Sequence, residues 1–445
     1  MEYLTEKLAQ LVNDTGYEDI PDTAIQSARD AIIDCIAAIS GGVPTENARL
    51  SRAAARATFG EGLFKPWLTN EPGMHELGAL FSNCAAASAL DIDDGHRAAA
   101  GHPGAAIIPA ALMRAIALNL DGYDLLAGIV LGYEVALRIA SARRHVDDIS
   151  FASGIWTGYG VAAALGFLEK HDAGQIAHAI SIAGAEAPAN LPQGACTASS
   201  VKGSSPWSTV AAWVASARSR VGATGSLDML DRDAVYDTAS MLKGLGERWS
   251  ISDIYFKPYA ACRYTHPVID AIVDMKRQHR FVGSDIRELT VQIFPEARKL
   301  PNSVRPTSLE DAQFSIPFTT ALAAFYGESG FRPMTVAHLG DSDVLALSES
   351  VRIEYPDSLL DHFPKYTPAH VQIVLGDAHI DKTVTIPIGE PGNPLSRQQL
   401  TNKLQDLAPR GSKNCFARSI AEHVQGLGNA GETNVQEFNC LLQLA

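Results

Sequence analysis

Apolar residues recur every three to four positions through most of the first half of the chain, which is the period of an amphipathic helix. The clearest case is 21–42, where isoleucines and alanines form one stripe. We expect Asp22 or Thr23 to be the N-cap of this helix, and Gly41 with Gly42 to end it. The same pattern predicts further helices over 74–90, 104–118, 122–141, 158–169, 173–185 and 206–221.

Several of these segments contain no charged residue, including ALFSNCAAASAL and GYGVAAALGFL. A helix that is apolar on all sides lies among other helices. The small residues in these segments also allow helices to approach one another closely. Residues 1–256 are therefore predicted to form a large helical domain with an enclosed central layer of helices.

The pattern changes after Tyr255, where apolar and polar residues begin to alternate. The alternation predicts strands at IRELTVQIF (286–294), SVRIEYP (350–356), HVQIVLGD (370–377) and KTVTIPIG (382–389). Helices are predicted from the proline of THPVIDAIVDMKRQ and at 313–326, 396–406, 412–424 and 433–445. The predicted fold class is mainly α with a smaller α+β domain. The α+β lid domain covers 257–405, and 406–445 returns to the helical domain.

Composition narrows the possible partners and compartment. The 445 residues include 36 Lys and Arg against 50 Asp and Glu, a net charge of −14 without a basic stripe, so no nucleic acid is expected as a partner. The six cysteines are scattered without CxxC pairs, which is typical of buried thiols in a reducing compartment. The N-terminus, MEYLTEKLAQLVND, is an amphipathic helix, and no apolar run is long enough to span a bilayer. We expect a cytoplasmic protein that does not contact a membrane.

Titratable residues concentrate in LDIDDGHRAAAGHPGA, which begins at Leu90 directly after a charge-free helix. Carboxylates at a helix C-terminus face the negative end of its dipole, so cations must lie close, and His96, Arg97 and His102 are candidates. The next helix begins at HPG, and its backbone N–H groups at 103–105 offer a site for an anion. This arrangement favours an active-site loop over a solvated connection between core helices.

Two other clusters carry cationic side chains among small or aromatic residues. Lys202 stands alone in AACTASSVKGSSPW, beside serine and glycine donors such as Ser204. Arg263, Tyr264 and His266 lie in PYAACRYTHP, at the junction of the two predicted domains, where ligand sites are common. Together with the loop after Leu90, the clusters predict a cationic cleft that can hold a polycarboxylate.

Two sequence patterns are similar to those of cofactor sites. Residues 158–163 satisfy G-x-G-x-x-A, but no strand precedes them and no βαβ pattern surrounds them, so helix packing explains the glycines better. His96 and His102 lie near several aspartates, but their spacing fits no standard zinc arrangement. We expect neither a metal nor an organic cofactor.

The same clusters, in the same order, carry a resemblance to a known family. They are D-I-D-D followed by G-H-P-G at 91–104, V-K-G at 201–203, K-P-Y-x-x-C-R-Y-T-H-P at 257–267, and EPGNPLSRQQL at 390–400. The chain resembles, over essentially its whole length, the MmgE/PrpD family of 2-methylcitrate dehydratases, cis-aconitate decarboxylases and iminodisuccinate epimerases. The resemblance implies a large helical domain, a smaller α/β lid, a homodimer, and a site between the domains.

The resemblance also implies residue roles. The positions that line the family's active site are matched by Asp91, His102, Lys202 and His266. The residues expected to bind the substrate are Arg263, Gly104, Tyr264 and Ser204. The implied chemistry is proton transfer at a carbon flanked by carboxylates, with Lys202 and either His102 or His266 as the proton-transfer pair and Asp91 orienting His102.

A lyase similar to 2-methylcitrate dehydratase is the first expectation for the reaction. The alternatives are an epimerase or isomerase, a decarboxylase, and a polycarboxylate-binding protein without catalysis. Decarboxylation is disfavoured because decarboxylase members carry a histidine and a tyrosine where Phe151 and Phe318 align, and a threonine or similar residue near Gly95.

Overall fold

The computed structural model describes residues 2–144, 152–188, 204–408, 413–429 and 435–443. Lys202 and Phe151 lie outside these ranges. The helices of the first part of the chain are α1 (Leu4–Asp14), α2 (Asp22–Gly42), α3 (Glu46–Phe59), α4 (Glu76–Ser88), α5 (Gly104–Leu118), α6 (Gly122–Ser141), α7 (Gly154–Leu168), α8 (Ala173–Ala185), α9 (Ser205–Arg220) and α10 (Thr238–Leu242). Each helix predicted from the apolar period in this part is present, with ends shifted by a few residues.

Helix α7 is the centre of the helical part of the fold. It contains no charged residue and packs against α5, α6, α8 and α9 at once. A Cβ added at Gly160 would lie 2.3 Å from the carbonyl oxygen of Gly132 on α6, so the glycine permits close contact between the two helices. The G-x-G-x-x-A pattern therefore belongs to a packed helix, as expected.

Helix α2 ends at Gly42, as predicted, but its N-cap is Pro21 rather than Asp22 or Thr23. Gly42 is buried, and a Cβ added there would lie 1.9 Å from the carbonyl oxygen of Ala86 on α4. Gly42 therefore also serves helix packing, because only a residue without a side chain fits between the backbones of α2 and α4.

Gly42→Ala is expected to destabilise the fold by about 3 kcal/mol, the upper end of the usual range for an overpacked core. The added methyl group meets backbone rather than a side chain that can move. The measurement is the free energy of unfolding in urea. Gly340→Ala is the matched control, because the nearest atom to its added Cβ is 3.9 Å away. Equal stability of the two variants would show that α2 and α4 can separate without loss.

The helical part also contains short strands, so the prediction of an all-helical domain needs correction. They are β1 (Glu61–Phe64), β2 (Gly95–His96) and β3 (Ile254–Tyr255). Strands β2 and β3 pair antiparallel, with Gly95 opposite Tyr255. Two residues on each side are too few to give a visible alternation in the sequence. This pair connects the loop after α4 to the start of the second part of the chain.

The second part of the chain is an α+β unit followed by three helices. Its elements are α11 (His266–His279), β4 (Ile286–Ile293), α12 (Leu309–Gln313), α13 (Ile316–Tyr326), α14 (Val336–Leu339), α15 (Ser342–Ser350), β5 (Arg352–Glu354), β6 (Ala369–Leu375), β7 (Ala378–Val384), α16 (Arg397–Leu407), α17 (Lys413–Gly426) and α18 (Val435–Gln443). The four strands form one sheet in the order β5-β4-β6-β7, parallel between β4 and β5 and antiparallel elsewhere. Helix α11 packs against β6, β7 and α13.

The last predicted strand, 382–389, was placed too late in the chain. Strand β7 begins at Ala378, directly after the tight turn at Gly376, and ends at Val384. The turn at Gly376 sets where the second strand of the hairpin begins. The alternation of KTVTIPIG continues beyond the end of β7, so it does not mark the limits of the strand. Beyond β7 the chain crosses to the helical part, where the carbonyl oxygen of Gly389 accepts a hydrogen bond from the Phe256 N–H at 3.0 Å.

The C-terminal helices pack on the first part of the chain. Helix α16 lies against α2, α17 against α16 and α2, and α18 against α17 and α5. The exact domain limits at 256 and 405 stay a prediction. Among the described residues, no helix is both long and apolar enough to cross a bilayer.

Candidate active site

The candidate site is built on the loop between α4 and α5. Asp91, Asp93 and Asp94 lie there, each at most 4% exposed. Asp91 adopts a left-handed backbone conformation, with φ of 51°, which aspartate tolerates better than most residues. Three buried carboxyl groups in four positions require either cations or protons close by.

Lys257 supplies the first cation. Its Nζ lies 2.8 Å from Asp91 Oδ2 and also donates to the Asp91 carbonyl oxygen at 2.7 Å. The lysine side chain is 1% exposed, so the two charges interact without solvent between them. This lysine opens the K-P-Y segment and comes from the other predicted domain. His96, Arg97 and His102 were the cations expected to balance the acidic loop, and Lys257 was not among them.

A second lysine lies beneath the same loop. Lys403 on α16 bonds to Asp34 on α2 at 2.6 Å and also to the carbonyl oxygen of Ile92. Both side chains are at most 1% exposed. Helices from the two ends of the chain are thus joined directly under the acidic loop, which fixes its backbone.

His102 faces the acidic loop with one nitrogen held and the other near a carboxylate. Its Nδ1 lies 2.6 Å from the carbonyl oxygen of Asp94. Because a carbonyl only accepts, Nδ1 carries the proton and Nε2 has the lone pair. Nε2 lies 3.7 Å from Asp91 Oδ1. Asp91 was expected to orient His102, but the carbonyl oxygen of Asp94 fixes the tautomer.

The electrostatics favour neutral His102. Burial, with a further contribution from the Lys257 ammonium, lowers the pKa of His102 below its usual 6.5. The side chain is nevertheless 25% exposed. A neutral imidazole with a fixed tautomer and a partly accessible Nε2 has the properties of a general base.

Asp94 holds the start of α5 in place. Its Oδ1 accepts the Gly104 N–H at 2.9 Å, and its Oδ2 accepts the Tyr133 hydroxyl at 2.7 Å. Burial is the main cause that raises the pKa of Asp94 to about 8. Gly104 was predicted to bind a substrate carboxylate, but its N–H already donates to this side chain. A substrate would have to displace Asp94 to use it.

Arg263 is held by the protein's own carboxylate. Glu390 Oε1 accepts from Arg263 Nε at 2.9 Å and also from Arg97. Burial alone would raise the pKa of Glu390, but the Arg263 and Arg97 guanidinium groups hold it below its usual value. Arg263 also donates to the carbonyl oxygens of Ile388 and Pro387. Arg263 was predicted to bind the substrate, but its guanidinium already donates to Glu390 and to these two carbonyl oxygens.

His266 is fully buried at the start of α11. Its Nδ1 pairs with Arg263 Nη1 at 3.0 Å, and its Nε2 lies 3.1 Å from the carbonyl oxygen of Ala261. Arg263 is always a donor, so Nδ1 accepts and Nε2 donates. Burial, and then Arg263, lower the pKa of His266 well below its usual value. Both nitrogens are therefore occupied, and this histidine supports Arg263 as the site stands.

Comparison with known families identifies the chain. A model described as the MmgE/PrpD N-terminal domain matches residues 6–244, and one described as the MmgE/PrpD C-terminal domain matches residues 259–427. The protein belongs to the MmgE/PrpD family. A search of curated proteins found no match. Membership in the MmgE/PrpD family supports a lyase-like function and confirms the resemblance seen in the sequence.

The remaining predicted residues of this MmgE/PrpD protein have mixed positions. Ser204 is buried at the start of α9, against Gly154. The ring of Tyr264 packs edge-on against Phe294, with 4.9 Å between centroids. Lys202 lies outside the described residues, so its role stays a prediction.

Asp91, Asp93 and His102 offer ligand atoms within 4.8 Å of one another, a grouping that a metal ion can use. Lys257 already bonds to Asp91, so a cation here would compete with the lysine ammonium. The Nδ1–H of His102 donates to the Asp94 carbonyl oxygen, which leaves Nε2 as the available ligand atom of this residue.

Proposed function

We propose that this protein is a cofactor-independent lyase that removes a proton next to a carboxylate of a small polycarboxylate, with 2-methylcitrate dehydratase as the nearest activity. The observation that carries the proposal is neutral His102, with Nδ1 fixed by a backbone carbonyl and Nε2 next to Asp91. Membership in the MmgE/PrpD family supports the lyase class.

His102 Nε2 would take the proton from the substrate carbon. The resulting imidazolium would be stabilised by Asp91 Oδ1, 3.7 Å away. The Lys257 ammonium balances the charge of Asp91. The substrate proton would therefore go to His102 and not to the Asp91 carboxylate. In this arrangement His102 can take up and release a proton while its position stays fixed. Both properties are expected of a general base.

The fate of the negative charge on the substrate decides between dehydration and its alternatives. In dehydration an acid protonates the leaving hydroxyl, and in epimerisation a second group returns a proton to the opposite face. Lys202 stays the proposed partner for either step, because both nitrogens of His266 are already occupied. We place dehydration first, and a homodimer as the expected assembly, on the family resemblance.

Product analysis tests the proposal. The purified protein is supplied separately with 2-methylcitrate, citrate, cis-aconitate and iminodisuccinate, and products are identified by mass spectrometry and chiral chromatography. Loss of water supports a dehydratase, loss of carbon dioxide a decarboxylase, and inversion at constant mass an epimerase. Binding of these compounds without any product would indicate a non-catalytic polycarboxylate-binding protein.

The pH dependence of kcat/KM is expected to show an acid limb with its midpoint below 6.5. The base must be neutral, and burial lowers the pKa of His102, so activity is kept as pH falls from 8 and is lost only below the usual histidine pKa. Initial rates at low substrate concentration between about pH 5 and 9 measure this limb. A midpoint above 7 would assign the limb to another group.

A further inference from the structure

Arg97 has hydrogen-bonding capacity that its protein contacts do not use. Its Nε and Nη2 bond to Glu390, and Nη2 also donates to Thr367 Oγ1 at 3.0 Å. Nη1 makes no hydrogen bond with any described residue, and the side chain is 19% exposed. The two N–H groups of Nη1 are therefore available to a ligand.

The charges around Arg97 also leave room for an anion. Arg97 and Arg263 share the single carboxylate of Glu390, so two positive charges meet one negative charge. The nearby Asp91 is already paired with Lys257. A second carboxylate at Arg97 would balance the remaining charge in a setting where unpaired charge is unfavourable.

The ring of Tyr255 lies against the same two guanidinium groups. The guanidinium carbons of Arg97 and Arg263 are 5.4 and 4.9 Å from the centre of its ring. A Cβ added at Gly95 would lie 2.3 Å from Tyr255 Oη, so the hydroxyl occupies the space of a residue-95 side chain. Oη has no hydrogen-bond partner within the described ranges, although buried tyrosine hydroxyls usually have one.

The backbone connects these groups to His102. His96 pairs with Gly101 across a tight turn, and Gly95 pairs with Tyr255. Since His96 and Gly101 are opposite each other, His102 lies opposite Gly95, whose side-chain space is occupied by Tyr255 Oη. Arg97 begins the tight turn itself. Cβ positions directly opposite each other in an antiparallel pair are about 4.5–5.5 Å apart, a distance that a small dicarboxylate or tricarboxylate spans.

We propose that Arg97 Nη1 and Tyr255 Oη form a second carboxylate-binding subsite, which holds the substrate carboxylate farthest from the carbon that loses its proton. The inference rests on the proposed function and explains which substrates the site would select. One carboxylate oxygen accepts from Arg97 and the other from Tyr255. Position 95 must be glycine for the hydroxyl to reach this place. The subsite favours substrates with a carboxylate beyond the reacting centre.

Tyr255→Phe is the cleanest test, because it removes only the hydroxyl and keeps the ring between its neighbours. The affinity for citrate, measured by titration calorimetry, is expected to fall about 10-fold to 100-fold, as for loss of a hydrogen bond to a charged group. With the compound that is turned over, KM is expected to rise more than kcat falls. Arg97→Lys keeps the positive charge but loses the planar set of guanidinium N–H donors. It is expected to weaken citrate binding by a similar factor.

Tyr326→Phe is the matched control, since its hydroxyl is exposed and bonds to Asp341, away from the site. Citrate binding by this variant is expected to equal that of the parent protein. If the parent binds citrate and both site variants bind it equally well, the subsite is wrong while the proposed function stands. If the parent neither binds nor converts any of the four polycarboxylates, the proposed function fails and the subsite fails with it.

Discussion

Replacing His102 by asparagine is expected to lower kcat by about 10²–10⁴-fold, the usual contribution of a general base. Asparagine places its amide nitrogen where Nδ1 lies, so the hydrogen bond to the Asp94 carbonyl is kept. Only the lone pair of Nε2 is lost. The KM for the substrate is expected to change little, because the proposed binding groups are not altered.

The measurement is steady-state kinetics on the compound that the parent protein converts. His338→Asn is the matched control. Its Nδ1 accepts a hydrogen bond from the Thr335 N–H, a contact that asparagine can replace, and it lies at α14 in the second part of the chain. The control should keep the parent kcat. A His102→Asn variant with kcat within about threefold of the parent would exclude His102 as the base.

Replacing Lys257 by methionine is expected to destabilise the protein by about 3–5 kcal/mol, the range for removing one partner of a buried ion pair. Methionine fills a similar volume, so the loss comes from charge rather than from a cavity. The change removes the ammonium that bonds to Asp91 Oδ2 and to the Asp91 carbonyl oxygen. Turnover should also fall, because the carboxylate beside His102 loses its partner.

The free energy of unfolding in urea measures this effect. Lys243→Met is the control, because Lys243 is exposed and its removal should change stability by less than about 0.5 kcal/mol. In the double variant Asp91→Asn, Lys257→Met, part of the lost stability should return, since no buried charge is left at either position. A loss below about 1 kcal/mol for Lys257→Met would mean that the pair contributes nothing to stability.

The helices of the first part of the chain were predictable because their signal is local. An apolar period of three to four residues identifies α5 and α6 without knowledge of their neighbours. The packing role of Gly42 was not predictable for the opposite reason. The contact that requires a glycine there is with Ala86, which is distant in the chain.

The candidate site was predicted in part. The acidic loop, His102 and the PYAACRYTHP segment were recognised from their composition, and the structure brings them together. Lys257 and Glu390 were missed as site residues, although both stand at the start of quoted segments. Lys257 meets Asp91 across 166 positions, and Glu390 meets Arg97 across 293. No local pattern indicates which of many charged residues will form such a pair.

Solvent exchange shows whether His102 removes a carbon-bound proton from the substrate. The protein is incubated in D₂O with each of the four polycarboxylates, and deuterium at carbons next to carboxylates is followed by proton NMR. We expect incorporation with at least one compound, its loss in His102→Asn and its retention in His338→Asn. A polycarboxylate that binds by calorimetry while none of the four acquires deuterium or is converted would contradict this expectation.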